Sequence, residues 1–67
     1  MKRRELERRL RDAGCRLSRH GRSHDWYVNP ITGAAQAVPR HVEIRESLAS
    51  SILKAMSAEY DAGKERA

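Results

Sequence analysis

A chain of 67 residues has room for one small domain with a modest core, and none for a cofactor-binding fold of the usual size. Its one cysteine, Cys15, excludes an internal disulfide and a metal site of several thiolates, which suits a reducing compartment. Fourteen Lys and Arg against nine Asp and Glu leave a net charge of +5 and a pI near 10.1, the balance of a compact domain that attracts polyanions. The N-terminus is charged and no apolar run approaches a spanning length. Neither a signal peptide nor membrane contact is therefore expected, and the cytoplasm is the expected compartment.

In chain order, residues 2–13 predict a helix whose Leu6, Leu10 and Ala13 form one apolar stripe, ended by Gly14 in a left-handed cap. Glu5 with Arg9 and Glu7 with Arg11 are supporting pairs four residues apart. Lys2, Arg3 and Arg4 crowd the first turn, where the helix dipole disfavours cations. That crowding fits a phosphate-facing role or a frayed end equally. Residues 15–20 alternate as a short strand, with Cys15, Leu17 and Arg19 on one face and Arg16, Ser18 and His20 on the other. A turn at His20-Gly21-Arg22 leads into a second strand over 23–29, which puts His24, Trp26 and Val28 on one face and Tyr27 on the other. Pro30-Ile31-Thr32-Gly33 is a turn, and residues 35–38 form a weak third strand ended by Pro39. Connections this short allow only an antiparallel meander. After a linker over 40–45, a second helix is expected from 46 to about 59, with Leu48, Ile52, Ala55 and Met56 buried and Ile44 packing at its entry. One domain thus spans residues 1–59, and 60–67 form a polar tail expected to fray.

His24 joins a usable chemistry to a defined position. An imidazole takes or gives a proton near neutral pH without a metal, and at a 2′-hydroxyl or 5′-oxygen of RNA such a group contributes roughly 10²–10⁴-fold. The competing account is a surface histidine at a strand start. Glycine shortly before it would let a substrate backbone come close. Cys15, His20, His24 and His41 match no standard zinc spacing, so no metal site is expected. His41 is placed to bind phosphate or to orient it, and His20 reads as a turn residue. Trp26 and Tyr27, adjacent in a strand, face opposite ways: one packs under the helices and the other is free to stack on bases. Arg40, Arg45 and Lys54, with Arg16, Arg19 and Arg22 on the first hairpin, are candidate phosphate contacts, although each taken singly is more often a solvated charge.

The segments Gly21-Arg22-Ser23-His24, Val38-Pro39-Arg40-His41, Glu43-Ile44-Arg45-Glu46-Ser47-Leu48 and Ser51-Ile52-Leu53-Lys54, after a basic first helix, resemble the HicA (YcfA-like) toxins of bacterial type II toxin–antitoxin systems. The resemblance runs from about Glu5 to Met56. It implies an α+β fold like the double-stranded-RNA-binding domain, in the order helix, three-stranded antiparallel sheet, helix. The residue pattern leads to the same order, which other small α+β domains share. It further implies an mRNA interferase, a metal-independent endoribonuclease that needs no cofactor and no small-molecule ligand. His24 would be catalytic, Arg22, Ser23, Arg40, His41 and Lys54 would meet RNA, and a HicB-type antitoxin would cover the active face. Two features depart from the family pattern. Arg22 separates Gly21 from Ser23 where many members place glycine and serine directly before the histidine, and the loop from Asn29 to Ala34 differs from the usual short turn. Two other functions fit the same residues: an RNA-binding module without catalysis, and an inactivated toxin-like protein that only binds a partner.

Overall fold

The computed structural model describes residues 1–58 in the order α1 (Arg3–Asp12), β1 (Arg16–His20), β2 (His24–Val28), β3 (Ala35–Pro39) and α2 (Glu46–Ala55). The expected fraying of 60–67 lies outside the described residues, as does residue 59, where the second helix was expected to end. The three strands form an antiparallel sheet in the order β1-β2-β3. Both helices lie on one face of it, and this is the α+β arrangement of the double-stranded-RNA-binding fold.

The helices end for local reasons. At the end of α1, Gly14 adopts a φ of 92°, its N–H bonds the Arg11 carbonyl at 2.9 Å, and Cys15 N–H bonds Leu10 at 2.9 Å. That pair of bonds satisfies carbonyls the last turn leaves open. The same pattern closes α2, where Ser57 sits at φ 56° with its N–H on Lys54 and Ala58 N–H on Leu53. A serine in the left-handed position gives no glycine signal, which is why periodicity alone carries the helix past its true end.

The core is built from Leu6 and Leu10 of α1, Tyr27 and Val38 of the sheet, Ile44 ahead of α2, and Ala49, Ile52, Leu53 and Met56. The buried stripe of α2 is thus turned by one position from the expected one. Ala49 and Leu53 point inward, Ala55 is exposed, and Leu48 sits at the rim, 38% exposed. Ile52 and Met56 belong to both stripes, and contact with α1 and β3 selects between them. The helices run side by side in the same direction. Ahead of α2, Ile44 N–H bonds the Met1 carbonyl and Val42 accepts the Arg3 N–H, while Cys15 just past α1 meets the Met56 carbonyl at the end of α2. The crowded first turn is ordered, not frayed. Lys2 pairs with Glu43 at 3.0 Å and Arg3 turns inward, while Arg4 has no ionic partner among the described residues.

A bulge decides the faces of β1. Arg16 pairs with Val28 and Leu17 with Tyr27, but Arg19 then pairs with Trp26 and His20 with Asp25, leaving Ser18 out of register. Inserting one residue reverses the side on which the following residues project. Arg19 therefore shares the helix-free face with Trp26, its guanidinium 5.4 Å from the ring, and His20 shares the other face with Asp25. The simple alternation in the sequence placed both the other way.

Candidate functional site

His24 opens β2, the central strand, and its side chain is exposed on the face away from the helices, together with Trp26. Tyr27, one position on, is the aromatic that packs under the helices. Across the sheet His24 pairs with Pro39. On its other side it closes the hairpin: its carbonyl accepts the Gly21 N–H at 2.7 Å. Gly21 is needed here for space. A Cβ on it would stand 2.9 Å from the His24 carbonyl oxygen and 3.2 Å from the Trp26 indole nitrogen. The room that glycine leaves is filled by the protein itself, so the expected role of admitting a substrate backbone does not describe this residue.

Behind His24, on the helix face, lies Asp25, whose side chain is 8% exposed. Its Oδ1 accepts from His20 Nδ1 at 2.7 Å and from Arg40 Nε at 3.0 Å, with Arg40 Nη2 in ion-pair range at 2.9 Å, and its Oδ2 pairs with the Arg3 guanidinium. The bonds from His20 and Arg40 outweigh burial and hold the carboxyl down at about 2. An ionised carboxylate can only accept, so His20 Nδ1 carries the proton and Nε2 belongs to an imidazole that is 68% exposed. Arg3 also donates from Nε to the Pro39 carbonyl at 3.0 Å and pairs with Glu7 at 3.2 Å. Glu7 accepts the Tyr27 hydroxyl at 2.7 Å, and burial followed by that bond pushes the Tyr27 hydroxyl up to about 12. One polar network therefore runs from α1 through β2 to the residue after β3. Glu7 serves Tyr27 and Arg3, where the helix pattern paired it with Arg11.

The expected site residues divide. Arg22 and Ser23 are exposed in the turn just before His24, and exposed His41 follows two residues after Pro39, the partner of His24. Arg40, its side chain 40% exposed, bonds Asp25 and the carbonyls of Gly21 and Arg22. Lys54 lies in the last turn of α2. That end of the helix meets Asn29, whose Nδ2 donates to the Met56 carbonyl at 2.8 Å, so Lys54 stands beyond the far end of β2 from His24. Arg16 and Arg19 share the open face with His24. An open groove of about 590 Å³ beside α1 is lined by Lys2, Arg3, Arg4, Glu7, Arg40 and Val42, and His24 is not part of it. Cys15 is 3% exposed, burial pushes its thiol up, and it lies beside Met56, at the other end of the sheet from His24. Among the described residues no group of three or more His, Cys, Asp or Glu side chains converges on a point that could hold a metal.

Asp25 was not among the residues singled out from the sequence. Its signal was nonetheless present: strands are poor in aspartate, and Asp25 alternates with His24 and Trp26 on the side that buries Tyr27. A charge on that side needs hydrogen-bond donors, and the chain supplies them from three separate places. Stability should respond to acid accordingly. A carboxyl held below its ordinary 3.8 stabilises the fold above that value, and the contribution is lost as the pH falls through about 2. Asp25→Asn should melt lower than the parent protein at pH 7, and the gap should close between pH 4 and about 2. A gap that stays constant over that window would show that the charge of Asp25 contributes nothing.

The fold and the site define a small basic α+β domain of the double-stranded-RNA-binding type, with an exposed histidine on a hairpin braced from behind. Residues 3–57 match the family model described as HicA toxin of bacterial toxin-antitoxin. The chain belongs to the HicA toxin family, and a toxin–antitoxin system implies an antitoxin as partner. No curated protein and no solved structure matches the chain. No helix among the described residues is long and apolar enough to cross a membrane.

Proposed function

We propose that this toxin is an mRNA interferase, a metal-independent endoribonuclease with His24 as its acid–base group, acting in the cytoplasm and neutralised by a HicB-type antitoxin. The observation that carries this is the presentation of His24. It is the imidazole at the start of the central strand, exposed, with no hydrogen-bond partner for its ring among the described residues, on a backbone held from both sides. An imidazole in that state can take the proton of a 2′-hydroxyl. The 2′-oxygen then forms a bond to phosphorus, the bond from phosphorus to the 5′-oxygen breaks, and the 5′-oxygen takes up a proton. The products are a 2′,3′-cyclic phosphate and a 5′-hydroxyl. Arg22 and Ser23 in the turn before His24, and His41 after its strand partner Pro39, would meet the flanking phosphates, and Arg16 and Arg19 extend the charge along the open face. An antitoxin that covers this face would hide His24 and these cations together.

One observation favours a second assignment within the same activity. His20 is the histidine whose ring is oriented by a buried carboxylate, an arrangement suited to an acid–base group. It projects on the opposite side of the sheet from His24, so the two are alternatives that single substitutions separate. Purified protein incubated with an RNA oligonucleotide and excess EDTA tests the activity itself. Cleavage is expected to persist and to leave a cyclic phosphate end. Loss of cleavage in EDTA with recovery on adding zinc would overturn the metal-independent mechanism, and no cleavage under any condition would favour a binding role.

A further inference from the structure

We propose that Arg40 is a positioning residue for His24: its guanidinium holds the turn before His24 in the shape that presents the imidazole, and it does not serve as a phosphate contact. The inference rests on His24 being the acid–base group. All three nitrogens of Arg40 are engaged within the protein. Nη2 donates to the Gly21 carbonyl at 2.8 Å and Nη1 to the Arg22 carbonyl at 3.2 Å, while Nε and Nη2 both reach Asp25 Oδ1. Three of the five N–H groups of the guanidinium thereby donate hydrogen bonds, one from each nitrogen. Its charge is set against a carboxylate that Arg3 and His20 also hold in place.

The geometry makes this a brace across the central strand. Arg40 follows Pro39, which pairs with His24 on the β3 side, and it reaches past Asp25 to the turn on the β1 side. His24 is therefore fixed by its strand partner on one flank and by the Arg40-gripped turn on the other. Within the turn itself, the bond from Gly21 N–H to the His24 carbonyl is the closing contact. Arg22 and Ser23 are exposed and leave the loop little else to pack on. Two carbonyls and a carboxylate oxygen in different directions suit a planar fork. A lysine ammonium in its place would keep the charge and lose the geometry. A shift of about 1 Å in a reacting group can cost about a hundredfold in rate.

The test compares Arg40→Lys and Arg40→Ala with the parent protein. Cleavage of an RNA oligonucleotide is followed for kcat and KM, and the salt dependence of RNA binding is measured in the His24→Ala background. Hydrogen exchange at the Gly21 amide reports on the turn directly. Both substitutions are expected to lower kcat by about a hundredfold with little change in KM. The salt slope of binding should stay as it was, and Gly21 should exchange faster. Lysine keeps a cation beside Asp25, so that variant remains informative if the alanine variant does not fold. Full activity in Arg40→Lys would overturn the proposal. So would a loss confined to KM with a shallower salt slope, which would make Arg40 a phosphate ligand. If the parent protein cleaves no RNA, the acid–base role of His24 fails while the exchange measurement still decides the brace: unchanged exchange at Gly21 overturns it.

Discussion

Replacing His24 with alanine is expected to abolish RNA cleavage while leaving the fold in place. The imidazole is exposed and its ring touches no hydrogen-bond partner among the described residues, so its loss removes no packing and orphans no polar group. The backbone bond from Gly21 and the register with Pro39 across the sheet, which hold the position, do not involve the side chain. The rate should fall by roughly 10²–10⁴-fold, the usual contribution of one positioned acid–base group. Circular dichroism and the melting transition should coincide with those of the parent. His20→Ala, measured beside it, separates the two histidines. Cleavage at the parent rate in the His24 variant, with loss in the His20 variant, would transfer the acid–base role to the Asp25-oriented ring. Parent rates in both would remove histidine chemistry from this hairpin.

Leu10→Ala should bring a large loss of stability. Leu10 has no exposed surface, packs in the single core, and its carbonyl accepts the Cys15 N–H that ends α1. Truncating a buried leucine costs about 2–5 kcal/mol, through lost burial and the cavity left behind. At about 0.05–0.15 kcal/mol per residue, a chain of this length has roughly 3–10 kcal/mol in all. The substitution therefore consumes a large part of the total, and the urea midpoint should fall by a comparable fraction. Leu17→Ala is the control. Leu17 is 41% exposed on the edge strand, and the midpoint should move little. Equal shifts for the two would mean that the core does not lie where Leu10 is buried.

What the sequence by itself determined about this protein is its local conformation and its class. Leu6 and Leu10 at helical spacing, Gly14 as a cap and Pro39 as a strand end are signals a short segment carries alone, because they depend on backbone geometry within a few residues. The same holds for the alternation of His24, Trp26 and Val28 against Tyr27. The order and spacing of the four segments from Gly21 to Lys54, after a basic first helix, were also enough to indicate the HicA family. Only the tertiary structure decided which side chains meet. The bulge at Ser18 depends on pairing with β2, and it turns His20 onto Asp25 and Arg19 onto Trp26. Asp25 is buried only once the helices cover its face, and burial is what makes it gather Arg3, His20 and Arg40 from separate parts of the chain. Arg40 and Lys54 looked alike as cations in the sequence. One is tied to that buried carboxylate, and the other is carried to the far end of the sheet by the direction of α2, since electrostatic partners and helix direction are both set by long-range packing.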